Sequence, residues 1–230
     1  KERAHGDGIN YSLESPEAFE EVFWKTFDQN DEETIDYFRT YINNILTKYR
    51  KNRYLSKNNQ NIKKVKYLSE FFPKSKFLIP FRDPLQHANS LLTQHKKFVE
   101  YSNNDKFIAQ YMNWIGHTEF GPNYLPIYNN DLFFDNYEDI NHWIEQWYLG
   151  YSNCIKSLKN KNNVIFINYE KLCNDKDYWL KILEILNIKK PYAFEFKESK
   201  KIIKADLNNK LITKASSLYS ELSFLYINKN

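Results

Sequence analysis

The sequence predicts a helix-rich α/β fold in which helices flank a parallel sheet. Two short apolar runs, residues 76–81 and 164–168, are each followed by a helical pattern, and amphipathic helical patterns also lie between them. Such an alternation of strands and helices is typical of parallel α/β sheets. No repeat, low-complexity tract or linker interrupts it, so we predict one domain over residues 1–230.

The chain begins with residues 1–9, which are typical of a strand end that runs into a glycine-bearing turn. Ser15, Pro16 and Glu17 then combine a capping residue, a proline suited to the first helical position and an acid for the positive end of the helix dipole. Apolar residues recur after them at helical spacing. A second helix is predicted over 32–50.

The central stretch gives the clearest pattern. A helical stripe over 60–72 ends before Pro73, because a proline disfavours helical geometry in the residue that precedes it. The apolar run 76–81 then predicts a buried strand. Asp83 and Pro84 directly after it supply a cap and a first helical residue, so another helix is expected to begin there.

The second half of the chain contains an irregular, aromatic region followed by regular elements. We expect 96–136 to be an insertion with short helices over a cleft, on the acceptor side of any active site. A long helix is predicted over 138–159, a second strand over 164–168 and further helices over 176–187 and 209–224.

Composition excludes several classes of protein. A hydrophobic share of 42% and an aromatic share of 17% argue against disorder. No run of 18 apolar residues predicts a transmembrane helix, and we expect no secretory leader. Two cysteines, Cys154 and Cys173, cannot form a disulfide scaffold or a four-thiolate zinc site, which favours a cytoplasmic protein.

The charge balance favours a small anionic ligand over nucleic acid. The net charge is +4, from 33 Lys and Arg against 29 Asp and Glu, and the basic residues do not cluster as they do in nucleic-acid-binding proteins.

Arg82 and Ser90 are the first candidate binding residues. In parallel α/β folds, ligands bind beyond the carboxyl ends of the strands. Arg82 follows the first predicted strand, and Ser90 lies two turns into the next helix, whose first amides point into the same space. Together they suit a phosphate. The alternative is that Arg82 pairs with a local carboxylate and Ser90 points to solvent.

Tyr169 and Lys57 also lie at ends of predicted elements. Tyr169 follows the second strand and could stack on a planar base, or it could pack on a neighbouring helix. Lys57 precedes the helix over 60–72, where it is either a catalytic cation or a solvated side chain.

His5 and Asp7 lie in a glycine-flanked turn where the backbone can approach a ligand closely. Histidine is the most probable proton acceptor near neutral pH. The alternative is a turn built on Asp7 with an exposed His5. The histidines show no spacing typical of metal ligands, so we expect no metal.

These residues resemble a known family. The segment Ser56-Lys57-Asn58-Asn59, the run over 72–84 (FPKSKFLIPFRDP) and the later Ser90 resemble PAPS-dependent sulfotransferases. The group that looks closest includes tyrosylprotein sulfotransferases and many bacterial members. The resemblance covers 55–95 well and 160–188 moderately, and it implies the P-loop NTPase-like sulfotransferase fold.

The resemblance implies roles for four residues. Arg82 and Ser90 would hold the 3′-phosphate of PAPS, Lys57 would be the catalytic lysine and Tyr169 would contact adenine. PAPS (3′-phosphoadenosine 5′-phosphosulfate) would be the donor and PAP the product, without a metal. The acceptor would be a small molecule, a carbohydrate or a peptide, with a hydroxyl or amine as the reacting group.

Two features of the family lack a counterpart here. The loop that cradles the 5′-phosphosulfate would belong upstream of Lys1, so we expect an N-terminally truncated chain. The catalytic base, a His or Glu in the family, is placed on His5, with Asp7 as the second choice. Candidates for the basic loop that helps to bind the 3′-phosphate in some members are Lys200, Lys201 and Lys204.

Three functions therefore compete. A sulfotransferase is favoured. A P-loop-like nucleotide kinase would need an upstream glycine-rich loop and a carboxylate for magnesium, and would prefer ATP with Mg²⁺ over PAP. A non-catalytic sulfotransferase-like module would bind a partner through 96–136 and would not be stabilised by PAP even with any upstream sequence restored.

Overall fold

The structure is a computed structural model that describes residues 19–27, 31–129, 132–189, 196–198 and 200–228. The described residues form two compact units. The first unit takes residues from 1–60 and 94–125, and the second takes residues from 61–93 and 126–230. The boundary between positions 93 and 94 falls inside a single helix, Pro84–Asn104.

The first unit is helical and has an aromatic core. Its elements are α1 (Glu20–Thr26), α2 (Glu32–Tyr49), the second half of α4 (Pro84–Asn104) and α5 (Lys106–Trp114). Asp31 caps the N-terminus of α2: its carboxylate accepts a hydrogen bond from the Thr34 amide at 2.8 Å. Trp24 on α1 and Phe38 on α2 are buried, with ring centroids 4.5 Å apart, so aromatic packing joins these two helices.

The second unit contains the sheet. Its elements are α3 (Val65–Phe71), β1 (Phe77–Phe81), the first half of α4, α6 (Ile140–Leu158), β2 (Val164–Asn168), α7 (Tyr169–Asn174), α8 (Lys176–Ile185) and α9 (Asn209–Asn228). Helices α6 and α9 pack against each other, and α9 also packs on β2. Ile144, Leu158 and Leu222 are fully buried in these elements.

The two strands pair in parallel, with Phe77 opposite Val164 and Phe81 opposite Asn168. Pro80 lies inside β1, where it cannot donate a ladder hydrogen bond. The described residues give β1 one strand neighbour, so the other edge of β1 tolerates this proline. The Pro80 carbonyl accepts a hydrogen bond from the Tyr151 hydroxyl at 2.6 Å, which attaches α6 to the strand.

The predicted helix-rich α/β class with a parallel sheet is confirmed, and both strands lie where the apolar runs placed them. The predicted helix over 60–72 was wrong at its start, since a 3-10 helix (Asn59–Lys63) precedes α3. The Asn58 side chain accepts from the Gln60 amide at 2.8 Å, and such a local bond competes with a regular α-helical first turn.

The region predicted as an insertion, 96–136, is partly regular. It includes the end of α4 and all of α5. Beyond α5, side chains of α6 hold the chain in place: Gln146 bonds both the amide and the carbonyl of Tyr128, and Glu145 accepts from the Phe133 and Phe134 amides. None of the helices in the described ranges is long and apolar enough to cross a bilayer.

Candidate functional site

Arg82 and Tyr169 lie together at the carboxyl edge of the sheet. Each directly follows one of two strands that end side by side, because Phe81 pairs with Asn168. The guanidinium carbon of Arg82 lies 5.4 Å from the centre of the Tyr169 ring, within the range of a cation–π contact. We call the cluster of Arg82, Asp83, Gln86, Tyr169 and Glu170 the carboxyl-edge site.

Glu170 organises this site. One carboxylate oxygen accepts from the Asp83 amide at 3.0 Å and lies 3.9 Å from Nε of Arg82. The other oxygen accepts from the Tyr219 hydroxyl at 3.0 Å. A separation of 3.9 Å is a contact between charges and not a hydrogen bond. The carboxylate thus holds the turn between β1 and α4 and lies beside the guanidinium.

The start of α4 uses its capping residues in an unusual way. Asp83 accepts from the Gln86 amide at 2.8 Å, and the spacing Asp-x-x-Gln is that of a capping box. In a capping box the Gln side chain returns to the amide of the cap residue, but here Glu170 occupies the Asp83 amide. The Gln86 side chain instead bonds the backbone of Lys201, donating to its carbonyl at 3.0 Å and accepting from its amide at 2.9 Å.

Residues 197, 198, 200 and 201, which we call the basic segment, therefore lie against the carboxyl-edge site. The Tyr169 hydroxyl donates to the Lys197 carbonyl at 2.9 Å, and Gln86 holds Lys201. Lys200 is exposed and pairs with Glu198 at 3.0 Å. This hydrogen bond lowers the pKa of the Glu198 carboxyl and raises the pKa of the Lys200 ammonium. Of the three lysines predicted for a basic loop, two are in this segment, and Lys204 is exposed close to them in sequence.

Ser90 is exposed on α4. It follows Asp83 by seven residues and Gln86 by four, so helical periodicity places it on the same face of α4 as those two residues. The structure thus brings Arg82 and Tyr169 into contact and puts Ser90 on the helix face that holds the basic segment.

His87 lies one residue beyond Gln86. Burial, and secondarily the charge of Arg82, lower the pKa of this imidazole to about 4. Its ring centre is 6.5 Å from that of Tyr151, which is itself buried. His87 is therefore neutral at pH 7 and adds no charge to the site.

Lys57 belongs to the first unit, whereas Arg82, Ser90 and Tyr169 belong to the second. Its side chain is exposed and lines a cavity of about 620 Å³ formed entirely by residues of the first unit. We call this the α1–α2 cavity. Residues of α1, the end of α2, the segment 51–60 and the turn over 115–119 line it.

Two ionisable side chains meet in the wall of the α1–α2 cavity. Nε2 of His117 lies 3.4 Å from Oε2 of Glu119, and the same oxygen accepts from the Asn59 side chain at 2.9 Å. Burial raises the pKa of the Glu119 carboxyl, while the Asn59 hydrogen bond and the charges of Lys57 and Lys25 act in the opposite direction. The His117 ring stacks on Phe98 with centroids 5.4 Å apart, which fixes its orientation.

His5 and Asp7, predicted as the catalytic base and its alternative, lie outside the described residues. Sequence reasoning missed Glu170, Gln86 and Glu119. The Asp-x-x-Gln spacing was a signal for Gln86, although it predicts a return to the cap and not a bond to Lys201. Nothing local in the sequence marks Glu119, whose partner Asn59 is distant in the chain.

Comparison with protein-family models, with curated proteins and with solved structures finds no match to this chain.

Proposed function

We propose that this protein is a PAPS-dependent sulfotransferase, which moves a sulfuryl group from PAPS to a hydroxyl or amine of an acceptor. One observation carries the proposal: two adjacent parallel strands end in Arg82 and Tyr169, whose guanidinium and ring lie 5.4 Å apart at the start of α4. A cation and an aromatic face at the carboxyl edge of a parallel sheet suit the phosphate and the base of a nucleotide.

The donor would be held at the carboxyl-edge site. Arg82 and the Ser90 hydroxyl would bind the 3′-phosphate, and the exposed Lys200 and Lys201 would add positive charge nearby. Tyr169 would stack on adenine. The Glu170 carboxylate would keep its hydrogen bond from the Asp83 amide and so hold the backbone between β1 and α4, which carries Arg82.

The chemical step would be an in-line displacement at sulfur. The acceptor oxygen or nitrogen forms a bond to sulfur, the bond from sulfur to the bridging oxygen of PAPS breaks, and PAP leaves with that electron pair. His5, or Asp7 in its place, would take the acceptor proton. Lys57 would neutralise the charge that develops on the bridging oxygen.

Thermal unfolding with nucleotides tests donor binding. We expect PAP at about ten times its Kd to raise the Tm by roughly 3–5 °C, and AMP, which lacks the 3′-phosphate, to raise it less. Arg82→Ala should weaken PAP binding by about 2–5 kcal/mol, the cost of removing one partner of a hydrogen-bonded charge pair, and should remove the preference over AMP. Arg39→Ala, which removes an exposed arginine paired with Asp36 in the first unit, is the matched control.

The other two functions are outcomes of the same experiment. A Tm rise with ATP and Mg²⁺ that exceeds the rise with PAP would favour a nucleotide kinase. The absence of any rise with PAP, also with any sequence upstream of Lys1 restored, would favour a non-catalytic module, in which Arg82 and Tyr169 serve only their observed contacts with Glu170 and the Lys197 carbonyl. Where PAP does bind, transfer of radioactive sulfate from labelled PAPS to an acceptor would test the reaction itself.

A further inference from the structure

The α1–α2 cavity has the size of a small-molecule site. Its volume of about 620 Å³ lies within the range of 300–1,000 Å³ that is usual for small ligands. Its apolar lining includes Ile45, Leu46, Leu55 and Ile115. Leu55 is 90% exposed, which is a high value for a leucine and marks an apolar surface available at the cavity.

Four cationic side chains also line the cavity. Lys48, Lys51, Arg53 and Lys57 all line the cavity, and all four are exposed. Three carboxylates, Glu20, Glu21 and Glu119, line the cavity as well, so its cations are in excess by one. The negative group of an anion is therefore favoured beside the exposed lysines and arginine.

The buried carboxylate Glu20 is not available as an acceptor for a ligand. It accepts hydrogen bonds from Trp24 at 3.2 Å and Tyr54 at 2.7 Å, and also from the Ser56 hydroxyl. Three donors from the protein satisfy this group, so its role is to hold α1 against the segment that carries Tyr54 and Ser56.

Glu21 and Glu119 are the two other carboxylates of the lining, and Glu119 is the one beside Lys57 and His117. Both of its contacts, with Asn59 and His117, are made by Oε2. Within the described part of the chain, Oε1 has no hydrogen-bond partner. Because Lys57 and His117 adjoin this carboxylate, a second cation there would be repelled, whereas a neutral hydroxyl can donate to Oε1.

We infer that the α1–α2 cavity binds a small organic anion that has an apolar body and a hydroxyl group: the anion beside the cavity cations, the body against the aliphatic lining and the hydroxyl on Glu119. This inference does not depend on nucleotide binding.

Isothermal titration without any nucleotide tests the inference, using 8-hydroxyoctanoate, octanoate and octane-1,8-diol as matched probes. At an ionic strength of about 0.02 M the Debye length is about 20 Å, so salt screens the attraction between the cavity cations and the anion only weakly. We expect 8-hydroxyoctanoate to bind about tenfold more tightly than octanoate, the scale of one hydrogen bond to a charged group. The diol should bind about tenfold more weakly than the hydroxy acid because it lacks the anion.

Two sets of variants assign these preferences to residues. Lys48→Gln with Lys51→Gln should weaken binding of 8-hydroxyoctanoate about fivefold and leave the diol unchanged. The control, Lys66→Gln with Lys176→Gln, removes the same charge from exposed lysines of the second unit and should change neither. Glu119→Ala should abolish the preference for the hydroxy acid over octanoate, and Glu119→Gln should restore part of it.

Three results would overturn the inference: no binding of 8-hydroxyoctanoate at about 10 mM, equal affinities for all three probes, or a preference for the hydroxyl that survives in Glu119→Ala. The probe comparison in the unaltered protein does not depend on how any variant folds. Since the titration contains no PAP and the nucleotide test contains no hydroxy acid, either proposal can fail while the other stands.

Discussion

At the scale of single residues, the carboxyl-edge site is built from side chains that have a structural role and a proposed binding role. Arg82 contacts Glu170 and the Tyr169 ring, and Glu170 holds the Asp83 amide. His87 beside them is neutral, because burial opposes its charged form. Replacing any one of these groups therefore alters the fold and the site together, and the two effects must be measured separately.

His87 makes stability depend on pH. Its pKa is about 4 in the folded protein and about 6.5 in an unfolded chain, so between these values protons bind preferentially to the unfolded chain. The free energy of unfolding should therefore fall by about 2 kcal/mol from pH 7 to pH 5 through this residue, and His87 should contribute no change above about pH 7. Urea denaturation of the unaltered protein and of His87→Gln over this range measures the effect. An equally steep loss of stability in His87→Gln would contradict the assignment.

At the scale of elements, the sequence predicted the features that residues close together in the chain determine, namely the strands and the start of α4. The strands were found from their apolar runs, the first of which lies between Pro73 and Pro84, and α4 was found because Asp83-Pro84 opens it. The pairing of Gln86 with Lys201 and of Glu170 with Asp83 could not be predicted, since the partners are 115 and 87 residues apart. Arg82 and Tyr169 were placed at one edge correctly because parallel strands end on the same side.

The hold of α4 on the basic segment can be tested directly. Gln86→Ala removes both hydrogen bonds to the Lys201 backbone, so we expect faster hydrogen exchange at the Lys201 amide and faster tryptic cleavage after Lys200 and Lys201. Asp83 still caps α4, so the helix itself should persist. Gln110→Ala, on the exposed surface of α5, is the control. Unchanged exchange and cleavage in Gln86→Ala would show that other contacts hold the segment.

At the scale of the whole molecule, the described residues divide into two compact units, and the sequence does not mark one of the three boundaries between them. The boundary between positions 93 and 94 lies within α4, whose helical pattern continues through it, and no glycine, proline or polar linker occurs there. The other two boundaries lie between 60 and 61 and between 125 and 126. Helical periodicity reports only which face of a helix is apolar, and it does not tell which neighbours that face contacts. The core of each unit is nevertheless distinct, with Ile35 fully buried in the first and Ile144 in the second.

Cys154 offers a probe of this division. It is 2% exposed on α6, and burial raises the pKa of its thiol to about 12, so the folded protein should react with iodoacetamide at pH 8 only through opening of the second unit. In a Cys173→Ser background, Ile144→Ala should cost about 2–5 kcal/mol and speed alkylation of Cys154 by a factor of about 30 or more. Ile35→Ala creates an equivalent cavity in the first unit and should leave the rate unchanged if each unit opens by itself. Equal acceleration by both substitutions would show that the two cores unfold as one cooperative body.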